Sequence, residues 1–495
     1  MNANQYEKTP IKFVMIIPSF FNIDEDYQKP IYYYNFPLGP LQIIALLVER
    51  KLIEANVPLI IDIRREEELN PDGYKISEYK KEEFKKFFKK IISKYDLLEY
   101  EFIALSCYTS AAYLQTRLIA SILKELKPGI KIIVGGYHPS AVPNDFLFQN
   151  SPFDFVIRGE GERFFLDLLR SGNIIKTPKT RVIIPEPIDI NSLPFPDYLG
   201  YLDMYPDFSS KMNFELFVSR GCPGNCYFCG SNFRFRNLEY IKAKLFFTEL
   251  YSIAQKNGVK RFNFSDQCFN ALKYKYKWLE LIKKNKLNED MEFSCQARID
   301  YFSKKMLKKF QEANMVVGYG LESISKEMLV GMNKISIKEV NSYVKKTHEI
   351  IEFYKQHAKV RCRLNLLIGY PGETKETFFE TVNYINNDSI HSLIDVGPTL
   401  YSLYPNSFVY QHKNEYVQNY GIEFIDEYWK IKNLNPLKSS VIRPSRDYSK
   451  EDMILDYFTE YNKILYLNER GGKLLNKIQN QKWRTFFKSW CDELH

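Results

Sequence analysis

Three thiols gather in the stretch GCPGNCYFCG, residues 221–230, where Cys222, Cys226 and Cys229 stand at Cys-x3-Cys-x2-Cys spacing, while the other five cysteines are scattered over a chain of 495 residues. Clustered thiols in a reducing compartment point to a metal rather than to disulfides. A structural zinc site takes four protein ligands, usually as two close pairs. Here the next cysteines are Cys268 and Cys295, and no histidine lies between His138 and His348. A four-iron cluster normally has one thiolate per iron. Three thiolates leave one iron open, as a Lewis acid and docking point for a chelating group, while the cluster supplies an electron.

Such a loop needs a rigid scaffold, and two series of strand-like and helix-like segments are legible. The first runs from residue 11 to about 170: KFVMIIP, LGPLQIIALLVERKL, VPLIIDI, a charged helix, FIALSC, LQTRLIASILKEL, KIIVGG and FDFVIRGEGERFFLDLL. This alternation predicts a parallel, doubly wound sheet with crossover helices. In the charged helix KKEEFKKFFKKII, Phe84, Phe87, Phe88 and Ile91 recur at helical spacing, so the lysines form a solvated face. Between 171 and 210 Pro178, Pro185, Pro187, Pro194 and Pro196 punctuate a stretch read as a linker.

The second series is NFELFVS, KRFNFSD, MEFSCQA, MVVGYGLES, VRCRLNLLIGYPGET and LIDVGPTLYSLYP. Six strand–helix units fall short of the eight of a closed barrel and predict a partial (β/α)6 barrel, with chemistry at the carboxyl ends of the strands. The cysteine triplet follows the first of them. The α/β chain thus divides into a Rossmann-like domain over 1–172, a linker over 173–210, a partial TIM barrel over 211–412, and a helical region over 413–495 that caps the barrel and shapes the substrate site. In the last, Trp483, Phe486, Phe487 and Trp490 repeat at helical spacing and are read as packing on their own domain.

The triplet, with Tyr227 and Phe228 before its last cysteine, resembles the signature of radical S-adenosylmethionine (SAM) enzymes. GLES (320–323) and IGYPGET (368–374) look like the fourth- and fifth-strand motifs of one large branch of that superfamily, and FNFSDQCFN (262–270) and FSCQARID resemble its second and third strands. The resemblance implies a [4Fe-4S] cluster on Cys222, Cys226 and Cys229 whose open iron is chelated by the amino acid end of SAM, and reductive cleavage to a 5′-deoxyadenosyl radical. It implies SAM contacts from Phe228, Asp266, Arg298, Glu322, Ser323, Gly369 and Pro371. A glycine-proline turn lets backbone approach a flat adenine, a carboxylate such as Glu322 accepts from ribose hydroxyls, and an arginine such as Arg298 pairs with a carboxylate by a bidentate fork.

The first domain resembles the cobalamin-binding domain that precedes the barrel in class B radical SAM enzymes, through FPLGPLQIIALL, ALSCYTS, VGGYHPSAVP and DFVIRGEGE. With the barrel, the likeness covers about residues 11–410. It implies cobalamin contacts from Leu38, Gly39, Ser106, Tyr108, Thr109, Gly135, Gly136, His138, Arg158 and Glu160. One departure stands out: the motif Asp-x-His-x-x-Gly is absent, and His138 follows the glycine pair where it would not serve as the cobalt ligand.

The resemblance implies a C-methyltransferase in which the radical abstracts hydrogen from an unactivated carbon and methylcobalamin supplies the methyl group. The second reading is a radical epimerase, cyclase or ring-rearranging enzyme acting on a peptide, with or without cobalamin, for which Cys268 or Cys295 would return a hydrogen atom. The third, from another class, is a non-catalytic cobalamin- or SAM-binding module. A methylthiotransferase acting on transfer RNA is disfavoured because no second N-terminal cysteine triplet is present. The partners expected are a small-molecule or peptide substrate and an electron donor such as flavodoxin or ferredoxin, with no nucleic acid despite a net charge of +9. Hydrophobic residues at 45% and charged residues at 26% suit a globular chain. No apolar run approaches the roughly 18–20 residues that cross a bilayer, and no export signal is apparent, so the cytoplasm is expected.

Overall fold

The computed structural model describes residues 11–20, 34–54, 59–70, 81–171, 181–231, 233–388, 393–432 and 440–448, with Asp452 and Asp456. They fall into two units: Met1–Phe214 with Lys244–Gly258 and Glu427–Lys438, and Glu215–Ala243 with Val259–Asp426 and Ser439–His495.

The apolar runs of the first unit become β1 (Phe13–Ile17), β2 (Ile60–Asp62), β3 (Phe102–Ser106), β4 (Lys131–Gly135), β5 (Phe155–Ile157) and β6 (Arg181–Ile183). They pair in parallel in the order β2-β1-β3-β4-β5-β6. Strands this continuously apolar are buried on both faces. The helix Leu38–Glu49 packs with Glu162–Ser171, and Lys81–Lys94 packs with Tyr113–Leu126. Phe84, Phe87, Phe88 and Ile91 are buried as the helical spacing requires. In this order β1 and β3 lead to opposite sides, and the crevice at their carboxyl ends is where ligands bind open α/β sheets.

The expected linker is more structured than its prolines suggest. Arg181–Ile183 adds the edge strand β6, and the helix Tyr198–Met204 sinks Tyr198 and Tyr201 into the first unit. Three strand residues are too few to carry a periodic signal, and the prolines flank the strand rather than interrupt it.

The second unit is built on β7 (Phe214–Leu216), β10 (Arg261–Phe264), β11 (Glu292–Arg298), β12 (Met315–Glu322), β13 (Cys362–Ile368) and β14 (Ile394–Leu400), with a short hairpin of β8 (Ser219–Arg220) and β9 (Arg236–Asn237). The order β14-β13-β12-β11-β10-β7 leaves β14 and β7 as edges, a six-stranded open sheet as expected. From β10 to β14 the pairing is parallel. Alternate residues divide the sheet into two faces: Phe262, Phe264, Phe293, Cys295, Val317, Tyr319, Leu364 and Leu366 are buried on one, and Asn263, Ser294, Gln296, Arg363, Asn365 and Asp395 lie on the other.

Of the region read as helical over 413–495, the described residues past the sheet reach Tyr448, with Asp452 and Asp456. The helix Lys413–Tyr420 is followed by an antiparallel pair, β15 (Glu423–Phe424) and β16 (Val441–Arg443), and residues 427–438 group with the first unit. Trp483, Phe486, Phe487 and Trp490 lie outside the described residues. Among the described residues no helix is long and apolar enough to cross a membrane.

Candidate active site

The cysteine loop leaves the sheet at β8 and is pinned at many points. Asp266, at the end of β10, accepts from the backbone of Val218 at 3.1 Å and from the hydroxyl of Ser219. Gly221 has a φ of 78°, and a side chain there would run into the carbonyls of Phe233 and Arg234. Further on, Tyr227 donates its backbone N–H to Met332 at 2.9 Å, Asn333 and Asn406 hold the carbonyls of Asn225 and Gly230, and Tyr227 stacks on Phe408 at 4.0 Å.

Each thiol receives a donor. Gly224 N–H and Ser231 N–H point to Cys222 and Cys229 at 3.4 Å, and Arg298 Nη1 reaches Cys226 Sγ at 3.0 Å. Burial raises the Cys229 thiol, the Ser231 N–H opposes it, and the neighbouring sulfurs of Cys226 and Cys222 add to the rise. The three sulfurs are thus close enough to feel one another. Yet among the described residues no three His, Cys, Asp or Glu side chains close on a single ion. A donor set of three thiols spread wider than one ion, with N–H groups aimed at the sulfurs, fits a cluster better than a lone zinc.

In this structure the Arg298 guanidinium is engaged by protein groups. Its Nε and Nη2 bind Asp300 at 2.9 and 3.0 Å, Nη2 also reaches the Lys334 carbonyl at 2.7 Å, and Nη1 faces Cys226. Its work is to lock the loop onto the sheet. Gly224 must be glycine for this, because a Cβ there would stand 2.3 Å from Arg298 Nη1. Glu322 ends β12 at a bulge with a φ of 64° and pairs with buried Lys334 at 3.0 Å. A strained non-glycine at a strand end is a mark of functional sites. Gly320 leaves room for this pair, since its Cβ would lie 2.6 Å from Glu322 Oε1.

The other residues expected to contact SAM also touch the scaffold in this structure. Asp266 is buried, which pushes its carboxyl up to about 7 against its hydrogen bonds. Ser323 shares its hydroxyl with Thr381 at 2.8 Å and caps Ser325. Gly369 donates to the buried carboxylate of Glu373, and the turn through Pro371 is buried under Tyr420 and the Pro444 carbonyl. Phe228 packs on the cluster of Tyr370, Tyr401, Val409 and Tyr416. Cys295 faces the helix-packed side of β11, away from the polar face. Cys268 is fully buried, its thiol pushed up to about 12 by burial and bonded to Asn270. Lys334, Asp300, Asn270 and Glu373 escaped the sequence reading. Only Asp300, two residues after Arg298 in ARID, carried a usable hint.

In the first unit all ten expected cobalamin contacts gather at the carboxyl edge of the sheet. Leu38 and Gly39 open the helix after β1, Ser106, Tyr108 and Thr109 end β3, Gly135, Gly136 and His138 end β4, and Arg158 and Glu160 end β5. Gly39 has open space above it. The Tyr108 hydroxyl is buried without a hydrogen bond, with the Arg64 guanidinium 5.3 Å from its ring. Such an edge fits a large planar ligand at the β1/β3 crevice. Gly136 makes room for the Cys107 carbonyl, 2.6 Å from where a Cβ would stand. His138, 1% exposed, bonds Ser110 through Nδ1 at 2.9 Å and holds Nε2 3.3 Å from Asp145. Asp145 also takes the Trp429 indole N–H and the Lys430 ammonium, each at 2.7 Å.

Comparison with known proteins fits this geometry. Residues 216–385 match the Radical SAM superfamily profile and residues 74–169 the B12 binding domain profile. The chain is 27% identical over 314 residues, 60% of its length, to an uncharacterized methyltransferase of Pyrococcus horikoshii, and 22% identical over 59% of its length to an anaerobic magnesium-protoporphyrin IX monomethyl ester cyclase of Cereibacter sphaeroides. These matches span 65% and 50% of the relatives' own lengths. In fold it is similar to the radical S-adenosylmethionine methyltransferase TsrM from Kitasatospora setae, with a TM-score of 0.62 at 13% identity over 92% of this chain and 89% of that one. A radical SAM domain implies a [4Fe-4S] cluster and SAM, and a B12 binding domain implies cobalamin. The chain thus carries a B12 binding domain over residues 74–169 followed by a Radical SAM superfamily domain over residues 216–385, and the three pinned thiols lie in the latter.

Proposed function

We propose that the protein is a cobalamin-dependent radical SAM C-methyltransferase acting on an unactivated carbon of a natural-product or peptide substrate. The observation that carries this reading is the three-thiol loop, locked by Arg298, in one chain with a B12 binding domain. The methyltransferase names of the relatives from Pyrococcus and Kitasatospora favour methyl transfer over other radical outcomes. When bound, the cluster and SAM supply a primary carbon radical, and cobalamin supplies the methyl group. The chain's part is to hold the thiols, orient substrate on the polar sheet face and exclude competing hydrogen sources. A reductant is required, and a flavodoxin or ferredoxin of the cytoplasm suits a cluster of this kind. The test is anaerobic reconstitution with iron, sulfide and hydroxocobalamin, followed by SAM and reductant. Retained cobalamin and transfer of a labelled methyl group to a substrate carbon support the reading. Production of 5′-deoxyadenosine with an unmethylated, rearranged product would replace it.

A further inference from the structure

The cysteine loop reaches the surface beside a group of lysines. Within the loop Pro223 and Asn225 are exposed and Cys222 is partly so. From the Cys226 thiol a chain of hydrogen bonds runs outward: Arg298 Nη1 at 3.0 Å, the Asp300 carboxylate on Arg298 Nε at 2.9 Å, and the Lys346 ammonium on the Asp300 carbonyl at 2.7 Å. At its outer end lies a cavity of about 320 Å³ lined by Phe302, Ser303, Lys304, Ser342, Lys345 and Lys346, with Glu349 as its single carboxylate among the described residues.

Lys304 opens the helix Lys304–Glu312, and Ser342, Lys345 and Lys346 lie on the helix Val340–His357. The turn into the second helix exposes Lys338 and Ile337, the latter to 59%, and Tyr301 beside the cavity is 42% exposed. The segment before that turn is tied to the loop, since Asn333 Nδ2 holds the Asn225 carbonyl at 2.8 Å. Among the described residues Lys304, Lys338 and Lys345 are exposed and have no carboxylate partner, so their charge faces solvent. Redox proteins meet through small, transient contacts, and charge complementarity brings them together. An electron crosses only where the two centres come close, so the docking face must adjoin the loop. Four ammonium groups around an aromatic and an aliphatic side chain suit a partner with carboxylates around an exposed apolar edge. A flavin held with its dimethylbenzene edge open has that form, whereas an iron–sulfur carrier covers its cluster with backbone.

We propose that this lysine-ringed face docks an acidic flavoprotein of the flavodoxin type, which reduces the cluster through the exposed edge of the loop. The anionic flavin hydroquinone loses one electron and becomes the neutral semiquinone, the oxidised four-iron cluster gains that electron, and no proton moves. The proposal rests on the radical SAM reading, because it takes the three thiols to hold that cluster.

The experiment uses the full chain, reconstituted anaerobically with iron and sulfide, and stopped-flow mixing with a photoreduced flavodoxin of strongly negative net charge. Appearance of the semiquinone reports the second-order rate of electron transfer without any substrate turnover. Lys304→Glu combined with Lys345→Glu slows it roughly 10-fold at low salt and much less at high salt. Lys86→Glu combined with Lys89→Glu, an equal charge change on the exposed face of the helix Lys81–Lys94 in the first unit, leaves the rate nearly unchanged. Both cavity lysines are exposed, so iron content and melting of that variant stay at wild-type values. Calorimetric titration with oxidised flavodoxin follows the same order and reads docking without electron transfer. The proposal is overturned if the cavity variant keeps the wild-type rate, if the control pair slows it equally, or if an acidic ferredoxin reduces the cluster faster with the same lysine dependence. A wild-type chain that takes up no four-iron cluster overturns the radical SAM reading and the proposal with it, and iron and sulfide content report that outcome separately.

Discussion

Arg298 Nη1 lies 3.0 Å from Cys226 Sγ, and the rest of that guanidinium is bound to Asp300 and to the Lys334 carbonyl. A buried cation donating to a cluster thiolate stabilises the reduced, more negative cluster and raises its potential. Arg298→Gln is expected to lower the midpoint potential, and Arg298→Lys to lower it less. Redox titration followed by electron paramagnetic resonance gives the answer, and a potential unmoved in both variants leaves Arg298 with a purely structural part.

Gly224 tests the same contact from the other side. Gly224→Ala would place a methyl group 2.3 Å from the guanidinium, so either the loop or Arg298 must shift. An overpacked site of this kind loses about 1–3 kcal/mol. Iron per chain after reconstitution is expected to fall while the far-ultraviolet spectrum stays unchanged.

Burial pushes the Glu373 carboxyl up to about 8 in the folded chain, the Gly369 N–H opposing it. A folded value above the unfolded 4.5 means that the native state holds a proton which the unfolded state has released. Stability from this group is therefore complete below about pH 4.5 and is lost as pH rises to about 8. Asp266 and Glu215, both raised to about 7 by burial, act with the same sign. Glu373→Gln should flatten the fall in unfolding free energy between pH 5.5 and 8, by on the order of a few kcal/mol. A slope identical to the wild type would mean the carboxylate is ionised throughout.

His138 has one ring nitrogen on Ser110 and the other facing Asp145. It is expected not to ligate cobalt, so cobalt(II) spectra of the wild type and of His138→Ala carry no nitrogen hyperfine splitting. The variant should still lose about 1–3 kcal/mol, because a buried ring and its bond to Ser110 are removed. Splitting in the wild type that vanishes in His138→Ala would show that the ring swings out on binding.

Cys295 points to the helices and Cys268 is enclosed by its bond to Asn270. Cys295→Ala is expected to cost about 1 kcal/mol of stability and to leave the product unchanged. If turnover in heavy water stops in that variant while SAM cleavage persists, a hydrogen-returning thiol is at work and the epimerase reading gains.

Much of the frame was legible because it follows from periodicity. The β-branched runs of β1, β3 and β4, and the alternation along β11 and β13, have few other ways to fold. The cysteine loop was legible because three thiols at fixed spacing have few uses. What escaped depended on distant partners. Nothing local says that Lys334, in GMNKIS, will be buried against Glu322, or that Arg298 will bond Asp300 and Cys226. Three-residue β6 gave no periodic signal, and the short β15–β16 pair was lost in an aromatic stretch.

The bond from Trp429 to Asp145 spans 284 positions. At a ribosomal pace of roughly 5–20 residues per second, Asp145 is made some quarter of a minute to a minute before the indole that covers it. Through that interval the nascent first unit carries the Asp145 carboxylate without its Trp429 and Lys430 donors. The B12 binding domain is therefore finished late, after most of the radical SAM domain has been synthesised, and a ribosome stalled between them would release a chain whose first half is incomplete.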